Sequence, residues 1–273
     1  MRIALISDIH GNLVALEAAL ADIDRQRVDQ IICLGDVAVF GPQPREVIAR
    51  LRQRDMPVIM GNTDQWLLNP EPWSTDPDKR PQVEIEMWNA SLLTEEDKAT
   101  VAGYMPTLAL DYGDGLTILC YHGSPRSFSD SIRPTTPDDE LDTWFPDGRA
   151  LVMAGGHTHE PMARRYGAST LVNPGSVGLP VYWAADGQVV NPAWAEYALL
   201  EWHDGALGIS LCRRPYPLGD LIAATLASNM PHKDYWLADW RDITISTNPS
   251  NAPDPHKLAQ IGQNKNRELD SPG

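Results

Sequence analysis

Seven residues able to bind a divalent cation stand in five short phrases of this chain. Ser-Asp-Ile-His-Gly-Asn at 7–12 carries Asp8 and His10, Gly-Asp at 35–36 carries Asp36, and Gly-Asn-Thr-Asp at 61–64 carries Asn62. His-Gly-Ser-Pro at 122–125 carries His122, and Gly-His-Thr-His at 156–159 carries His157 and His159. Four of the seven histidines in the chain fall in these phrases. Imidazole with carboxylate and amide oxygen, and no thiolate, suits Mn, Fe, Ni, Co or Zn. The donors suffice for two such ions. In Asp8-x-His10 and in His157-x-His159, an extended backbone would put both side chains of the pair on one side, because strand side chains alternate with period two.

Each phrase sits where an apolar, β-rich run stops or turns. Residues 2–7 read as a buried strand, and Asn12 as the cap of a helix with Leu13, Leu16, Leu20 and Ile23 at helical spacing. Residues 30–34 form a second strand that ends at Gly35-Asp36. Residues 43–54 form an amphipathic helix with Val47, Ile48 and Leu51 inward, and residues 57–60 form a third strand closed by Gly61-Asn62. Such alternation predicts a parallel βαβαβ sheet, with ligands gathered beyond the carboxyl ends of its strands.

The stretch 65–103 reads as a helical insertion. An irregular loop with Trp66, Pro70, Pro72, Trp73, Pro77 and Pro81 comes first, then helices over 83–92 and 95–103, the second capped by Thr94. It either overhangs the site as a lid or packs on the sheet. From residue 107 the signals become antiparallel. Strands at 107–111 and 116–121 flank Asp114-Gly115, strands at 150–154, 162–166 and 169–173 follow, and strands at 197–202 and 207–213 flank Asp204-Gly205. A helix at 217–228 closes the pattern. The sum is an α/β fold, two sheets face to face with helices outside, in one domain over residues 1–242. Residues 243–273, rich in Ser, Thr, Asn, Pro, Asp and Gln, read as a disordered tail.

Composition narrows the function classes. With 42% hydrophobic residues in 273, the chain supports a globular core, and it has no apolar run long enough to span a membrane. A formal charge of −15 argues against non-specific binding to duplex DNA or to anionic membrane, which needs a basic surface. It does not exclude a phosphate substrate, because two divalent ions would dominate the local field. Cys33, Cys120 and Cys212 each lie in an apolar strand-like run and read as buried free thiols of a reducing compartment. The first ligand follows so closely on Met1 that a cleaved leader would remove it. A cytoplasmic protein is the expectation.

The order Asp-x-His, Gly-Asp, Gly-Asn, His-Gly, Gly-His-x-His resembles the calcineurin-like metallophosphoesterase superfamily. Asn173-Pro-Gly-Ser-Val-Gly-Leu-Pro180 and His122-Gly-Ser-Pro-Arg126 are similar to its small bacterial and archaeal phosphodiesterases. The resemblance covers about residues 1–225 in the order of its elements. It implies a four-layer αββα sandwich of two mixed β-sheets flanked by helices. It also implies two divalent metals, manganese among the candidates: one held by Asp8, His10 and His159, the other by Asn62, His122 and His157, with Asp36 bridging. The implied reaction is hydrolysis of a phosphodiester, or of a phosphomonoester, in a small or nucleotide-like substrate by a hydroxide shared between the metals. Asp36, Asn62 and His122 then carry catalysis.

Substrate-contact candidates are Asn62, Arg126 and Asn12, the last also the expected helix cap. Asn173 either orients a ligand histidine or serves a turn. Trp66, Trp144 and Trp183 either stack a nucleobase or pack. One departure from the family stands out: many members place His directly after Gly-Asn to protonate the leaving oxygen, and this chain has Thr63. Nucleotide-polyphosphate hydrolases and protein phosphatases of the superfamily usually carry that His, which leaves them as alternatives. A non-catalytic scaffold on the same fold is a further one.

Overall fold

The structure is a computed structural model that describes residues 1–145, 149–184 and 187–242. Strand β1 (Arg2–Ile6) leads through helix α1 (Leu13–Gln26) to β2 (Gln30–Cys33). Four helices follow: α2 (Pro44–Gln53), α3 (Asn62–Leu68), α4 (Arg80–Leu92) and α5 (Glu95–Ala102). The middle of the chain supplies β3 (Leu108–Asp111), β4 (Thr117–Cys120), α6 (Asp138–Trp144), β5 (Val152–Ala154), β6 (Met162–Tyr166) and β7 (Ser169–Asn173). The last part forms β8 (Tyr182–Trp183), β9 (Val189–Pro192), β10 (Trp194–His203) and β11 (Ala206–Pro215). Then come α7 (Leu218–Ala227), α8 (Lys233–Leu237) and β12 (Trp240–Arg241). The tail expected beyond residue 242 lies outside the described residues.

Two main sheets face each other. One has the order β11-β10-β1-β2, the other β3-β4-β5-β7-β6, and a small sheet joins β12, β9 and β8. Alternation along β1 shows the layering. Ile3 and Leu5 point between the sheets with Ile118, Val152 and Val172, whereas Ala4 and Ile6 point the other way, onto Leu16, Leu20 and Ile23 of α1. In the second sheet Ile118 and Cys120 face the first sheet, while Met153 and Leu171 turn outward to Leu141 and Trp144 of α6. Helix, sheet, sheet and helix therefore stack as four layers, each pair sharing an apolar interface.

Both sheets are mixed, as the resemblance implies, and three narrower readings of strand pairing are corrected. The first sheet is mixed: β1 and β2 are parallel, but β10 pairs antiparallel on the other side of β1, with Arg2 opposite Glu201. The third strand at 57–60 reduces to bridges, Cys33 with Val58 and Ile59 with Met105, because the chain turns at Gly61 into α3. The second sheet is antiparallel only toward its edges, since β4–β5 and β5–β7 are parallel. Periodicity marks a strand but does not name its partner.

The insertion is more regular than its prolines suggest. Trp66 lies in α3, where an irregular loop was expected from residue 65, and α4 starts at Arg80. Asn89 of α4 accepts from Phe40 N (2.7 Å) and donates to Gly41 O (2.8 Å), which ties the insertion to the loop after Asp36. At the other end, Trp236 and Trp240 are both 4% exposed, with ring centroids 5.2 Å apart, and pack into the helix-side core. Truncating a buried Trp typically costs about 3–5 kcal/mol. Trp240→Ala should lower the melting temperature markedly, whereas deletion of residues 243–273 should leave both melting temperature and activity unchanged. A large fall on deletion would show that the tail docks on the body.

Candidate metal centre

The first strand stops at Ile6, and the ligand-bearing residues lie in the turns beyond the strands. Asp8 (φ 54°), His10 (φ 47°), Asp36 (φ 55°), His157 (φ 69°) and His159 (φ 54°) are all left-handed. This corrects the extended geometry expected of Asp8-x-His10 and His157-x-His159. The pairs do converge, but through alternating turns rather than strand alternation. Non-glycine residues held this way cost about 1–3 kcal/mol each and persist only where the surroundings over-determine them. Here the two turns are laced together: Asp8 N donates to Gly35 O (2.9 Å), Ile9 N and His10 N to Asp36 O (2.8 and 3.0 Å), and Gly11 N to Val37 O (2.9 Å).

Seven donors meet at one place. Asp8, His10 and His159 form one group, and Asp36, His122 and His157 form a second. Asp36 Oδ2 stands 3.8 Å from His10 Nε2 and 3.4 Å from His122 Nε2, so it faces both groups. Asn62 Oδ1 lies 3.2 Å from His122 Nε2 and 3.0 Å from His157 Nδ1. The expected ligand set is thus brought together.

The arrangement fits cations. His10, His122 and His159 each direct Nδ1 at a backbone carbonyl, of Val39 (2.9 Å), Leu34 (2.7 Å) and Leu179 (2.7 Å). A neutral ring donating from Nδ1 presents a lone pair at Nε2. Those lone pairs point inward, and His10 Nε2 and His159 Nε2 are only 3.0 Å apart. Asp8 Oδ2 accepts from His157 N (3.2 Å), while the buried Asp8 Oδ1 faces ring nitrogens alone, His159 Nε2 at 3.2 Å and His10 Nε2 at 4.0 Å among them. A buried carboxylate oxygen facing imidazole lone pairs is costly unless a positive charge sits between them.

The titration of these groups follows the same balance. Burial opposes the charge on Asp8 and on Asp36, but the neighbouring histidines outweigh it and hold both carboxyls below the usual range. Burial pushes His157 down to about 4, with His122 adding to the effect. Burial likewise opposes a charge on His122, yet Asp36 and Asp8 overcome it and raise that imidazole to about 10. A proton there balances the buried carboxylates, a role that a divalent cation would take over.

Asp64 was missed as a site residue and is central. It is fully buried, and its carboxylate accepts from Asp36 N (2.8 Å), Gly61 N (3.0 Å) and Val37 N (2.9 Å). Burial and the charge of Asp36 push its carboxyl up to about 7, against those three donors. The signal was present in the sequence: an acidic residue three positions after Gly61, at the start of a helix, is placed to accept backbone N–H groups. Its inward direction also means that Asp64 is not free to orient a side chain at position 63.

The remaining candidates divide. Asn12 is fully buried, accepts from Ala15 N (3.0 Å), and donates to Gly178 O (2.9 Å) and Tyr216 Oη (3.3 Å). It is the helix cap, and as a substrate contact it is corrected, since its polar atoms are engaged within the fold. Arg126 donates to Asp130 (2.8 Å) and lies over the Trp144 ring at 5.2 Å, so it is committed to its own loop. Asn173 serves both roles expected of it. It donates to Gly156 O (2.7 Å) and Thr158 Oγ1 (3.0 Å), on either side of His157, and accepts from Gly175 N (2.9 Å). Trp66 donates to Glu71 O (3.0 Å) and packs on the helix-side core, Trp144 at the end of α6 is buried against the second sheet, and Trp183 is exposed on β8. Cys33 and Cys120 are buried free thiols as expected, whereas Cys212 is only partly buried.

Gly61 faces Asp36 so closely that a Cβ there would lie 2.1 Å from Asp36 Oδ1. Its backbone (φ −92°, ψ 172°) suits any residue, so the constraint is space alone. Gly61→Ala, whose Cβ would also lie 2.4 Å from Asp36 N, should displace Asp36 and lower both bound metal and melting temperature. Asp64→Asn replaces an acceptor oxygen by an NH2 group facing a backbone N–H, a loss of about 1–3 kcal/mol. It should lower both the melting temperature and the metal content. Metal analysis with thermal melts checks both variants, and normal metal content in either would refute the positioning roles.

Comparison with known proteins agrees with this geometry. A family model described as the calcineurin-like phosphoesterase superfamily domain matches residues 1–202. An uncharacterized protein of Methanocaldococcus jannaschii is 28% identical over 252 residues, 87% of this chain and 96% of that one. The crystal structure of a metallophosphoesterase from Sphaerobacter thermophilus superposes with a TM-score of 0.65 at 26% identity, covering 88% of this chain and 98% of that one. A hypothetical protein from Pyrococcus horikoshii shares the fold, with a TM-score of 0.70 at 21% identity and coverage of 86% and 96%. Among the described residues, no helix is long and apolar enough to cross a membrane. With its candidate ligands gathered at the ends of the strands and the family model spanning most of its length, the chain belongs to the calcineurin-like phosphoesterase superfamily.

Proposed function

We propose that the protein is a metal-dependent phosphodiesterase working with two divalent ions. The observation that carries this reading is Asp36 Oδ2 set between two groups of donors, with the buried Asp8 Oδ1 turned to the ring nitrogens of the first. Asp8, His10 and His159 would hold one ion, Asn62, His122 and His157 the other, and Asp36 both. When bound, such a pair supplies Lewis acidity that polarises a water and the phosphoryl oxygens.

The chain's own residues do the rest. Carbonyls of Val39, Leu34 and Leu179 fix the tautomers of three ligand histidines. Asp36 Oδ1 accepts from Thr63 N (3.0 Å), which keeps Oδ2 turned to the centre. Asn62 directs its oxygen at His122 and His157, and its amide nitrogen is the group left to donate to a phosphoryl oxygen. Metal-stripped protein, reloaded in turn with Mn, Fe, Ni, Co and Zn, should regain hydrolysis of bis(p-nitrophenyl) phosphate. Asp36→Asn should abolish turnover with the fold intact, and near-normal turnover by that variant would refute the reading.

Thr63 sets the reactivity. Its hydroxyl oxygen is buried without a hydrogen-bond partner among the described residues, and a Thr has no useful acidity near neutral pH. Aryl phosphodiesters, whose leaving oxygen needs little help, should therefore be preferred to alkyl ones, with turnover falling steeply as leaving-group pKa rises. A positioned acid contributes about 10²–10⁴-fold. Thr63→His should raise activity on alkyl diesters toward the low end of that range, because Asp64 points away and leaves the new ring unsupported. A flat dependence on leaving-group pKa in the natural protein would mean that another acid already protonates the leaving oxygen.

A further inference from the structure

A second loop borders the metal centre, and one cation in it is poorly matched to its surroundings. The segment from His122 runs past Arg126 to a tight turn at Arg133–Thr136. Arg133 N donates to Thr136 Oγ1 (2.9 Å), and Thr136 N donates to Arg133 O (3.1 Å). Arg164, reaching across from β6, donates to the carbonyls of Arg133 (3.4 Å) and Thr136 (2.5 Å). Thr136 itself is buried. The turn is thus braced from two sides, and its braces serve the backbone and leave the Arg133 side chain free of them.

The Arg133 guanidinium faces Glu160, the residue directly after the ligand His159, at 3.5 Å. Among the described residues Glu160 is the only hydrogen-bonding partner of that group. The two side chains are 40% and 45% exposed. An exposed pair of this length contributes little and yields to a competing anion. Arg126, on the same loop, is held at 2.8 Å by Asp130 and covered by Trp144. Both arginines keep donors to spare, but Arg133 is the one whose partner, Glu160, directly follows the ligand His159. A guanidinium offers five N–H donors in a fork that matches phosphate or carboxylate.

We infer that Arg133 recognises a second anionic group of the substrate, a phosphate or carboxylate remote from the scissile phosphorus. The scissile group is accounted for by the donors around Asp36, and Arg133 pairs with the residue that directly follows His159. In a chain of net charge −15, a cation here would favour a further anionic group that the two metal ions do not themselves contact. Glu160 holds the place of that anion until the substrate arrives. This role rests on the phosphodiesterase reading and makes it specific, favouring nucleotide-like diesters that carry an additional phosphate.

The test compares a nucleoside 2′,3′-cyclic phosphate with the same compound bearing a 5′-phosphate, using the full-length, metal-loaded protein. Arg133→Ala should raise KM for the phosphorylated substrate about tenfold or more relative to its effect on the other, equivalent to about 1.4 kcal/mol. The kcat values should stay close together. Arg133→Lys should recover part of the loss, and Glu160→Gln should lower KM for the phosphorylated substrate. Equal changes for both substrates would overturn the inference. If neither diester is hydrolysed by the natural protein, the phosphodiesterase reading fails. Calorimetry with a nucleoside 3′,5′-bisphosphate against the 3′-monophosphate then still decides on Arg133. Loss of the bisphosphate's advantage in Arg133→Ala supports the inference, and an unchanged advantage overturns it.

Discussion

The position of one carboxylate oxygen, Asp36 Oδ2, is the constraint on which the rest of the structure depends. It must face two groups of donors at once, and the fold fixes it from every side. The other oxygen is held by Thr63 N, the backbone amide by Asp64, and the backbone carbonyl by Ile9 N and His10 N. Space is made by Gly61, which has no Cβ to push the carboxylate aside. Asp64 is itself a buried acid, tolerated because three backbone amides converge on it. One acidic side chain is thereby devoted to placing another.

The layers serve the same end. Burial of Ile3 and Leu5 between the sheets and of Ala4 and Ile6 beneath α1 locks β1 on both faces. The turn beyond it can then be held in a costly conformation. β2 delivers Asp36 from the same sheet, while β4, β5 and the Asn173 turn deliver His122, His157 and His159 from the facing one. Val177 N and Gly178 N close the seam by donating to Ser7 O (2.9 Å) and Asp8 O (3.0 Å). The centre lies where both sheets end, so turns anchored on the strand ends supply its ligands.

Much of this was legible in the residues. Apolar runs ending in Asp, His or Asn-Gly phrases located the ligands, and helical spacing in 13–23 and 44–51 placed α1 and α2. Strand pairing was not legible: nothing local in residues 194–203 says that they pair with β1, nearly two hundred positions away. The third strand failed because Gly61 and Asn62 start a helix at once. The short α6 and α8 carry too few turns to show a period. Asp64 was visible as a residue but not as a role, since its function depends on backbone amides brought from Asp36 and Val37. Arg126 and Asn12 were reasonable as polar residues beside ligands, yet their geometry commits them to Asp130 and to a helix cap. A chemical type near a motif says little until its partners are known.

The most direct test of the account is a crystal structure of the protein loaded with manganese or zinc. Two ions should lie roughly 3.5–4 Å apart, as in other two-metal sites, with Asp36 touching both. His10 and His159 should be on one ion and His122 and His157 on the other. Two ions with Asp36 bound to only one of them would contradict the bridging role from which the rest of the account follows.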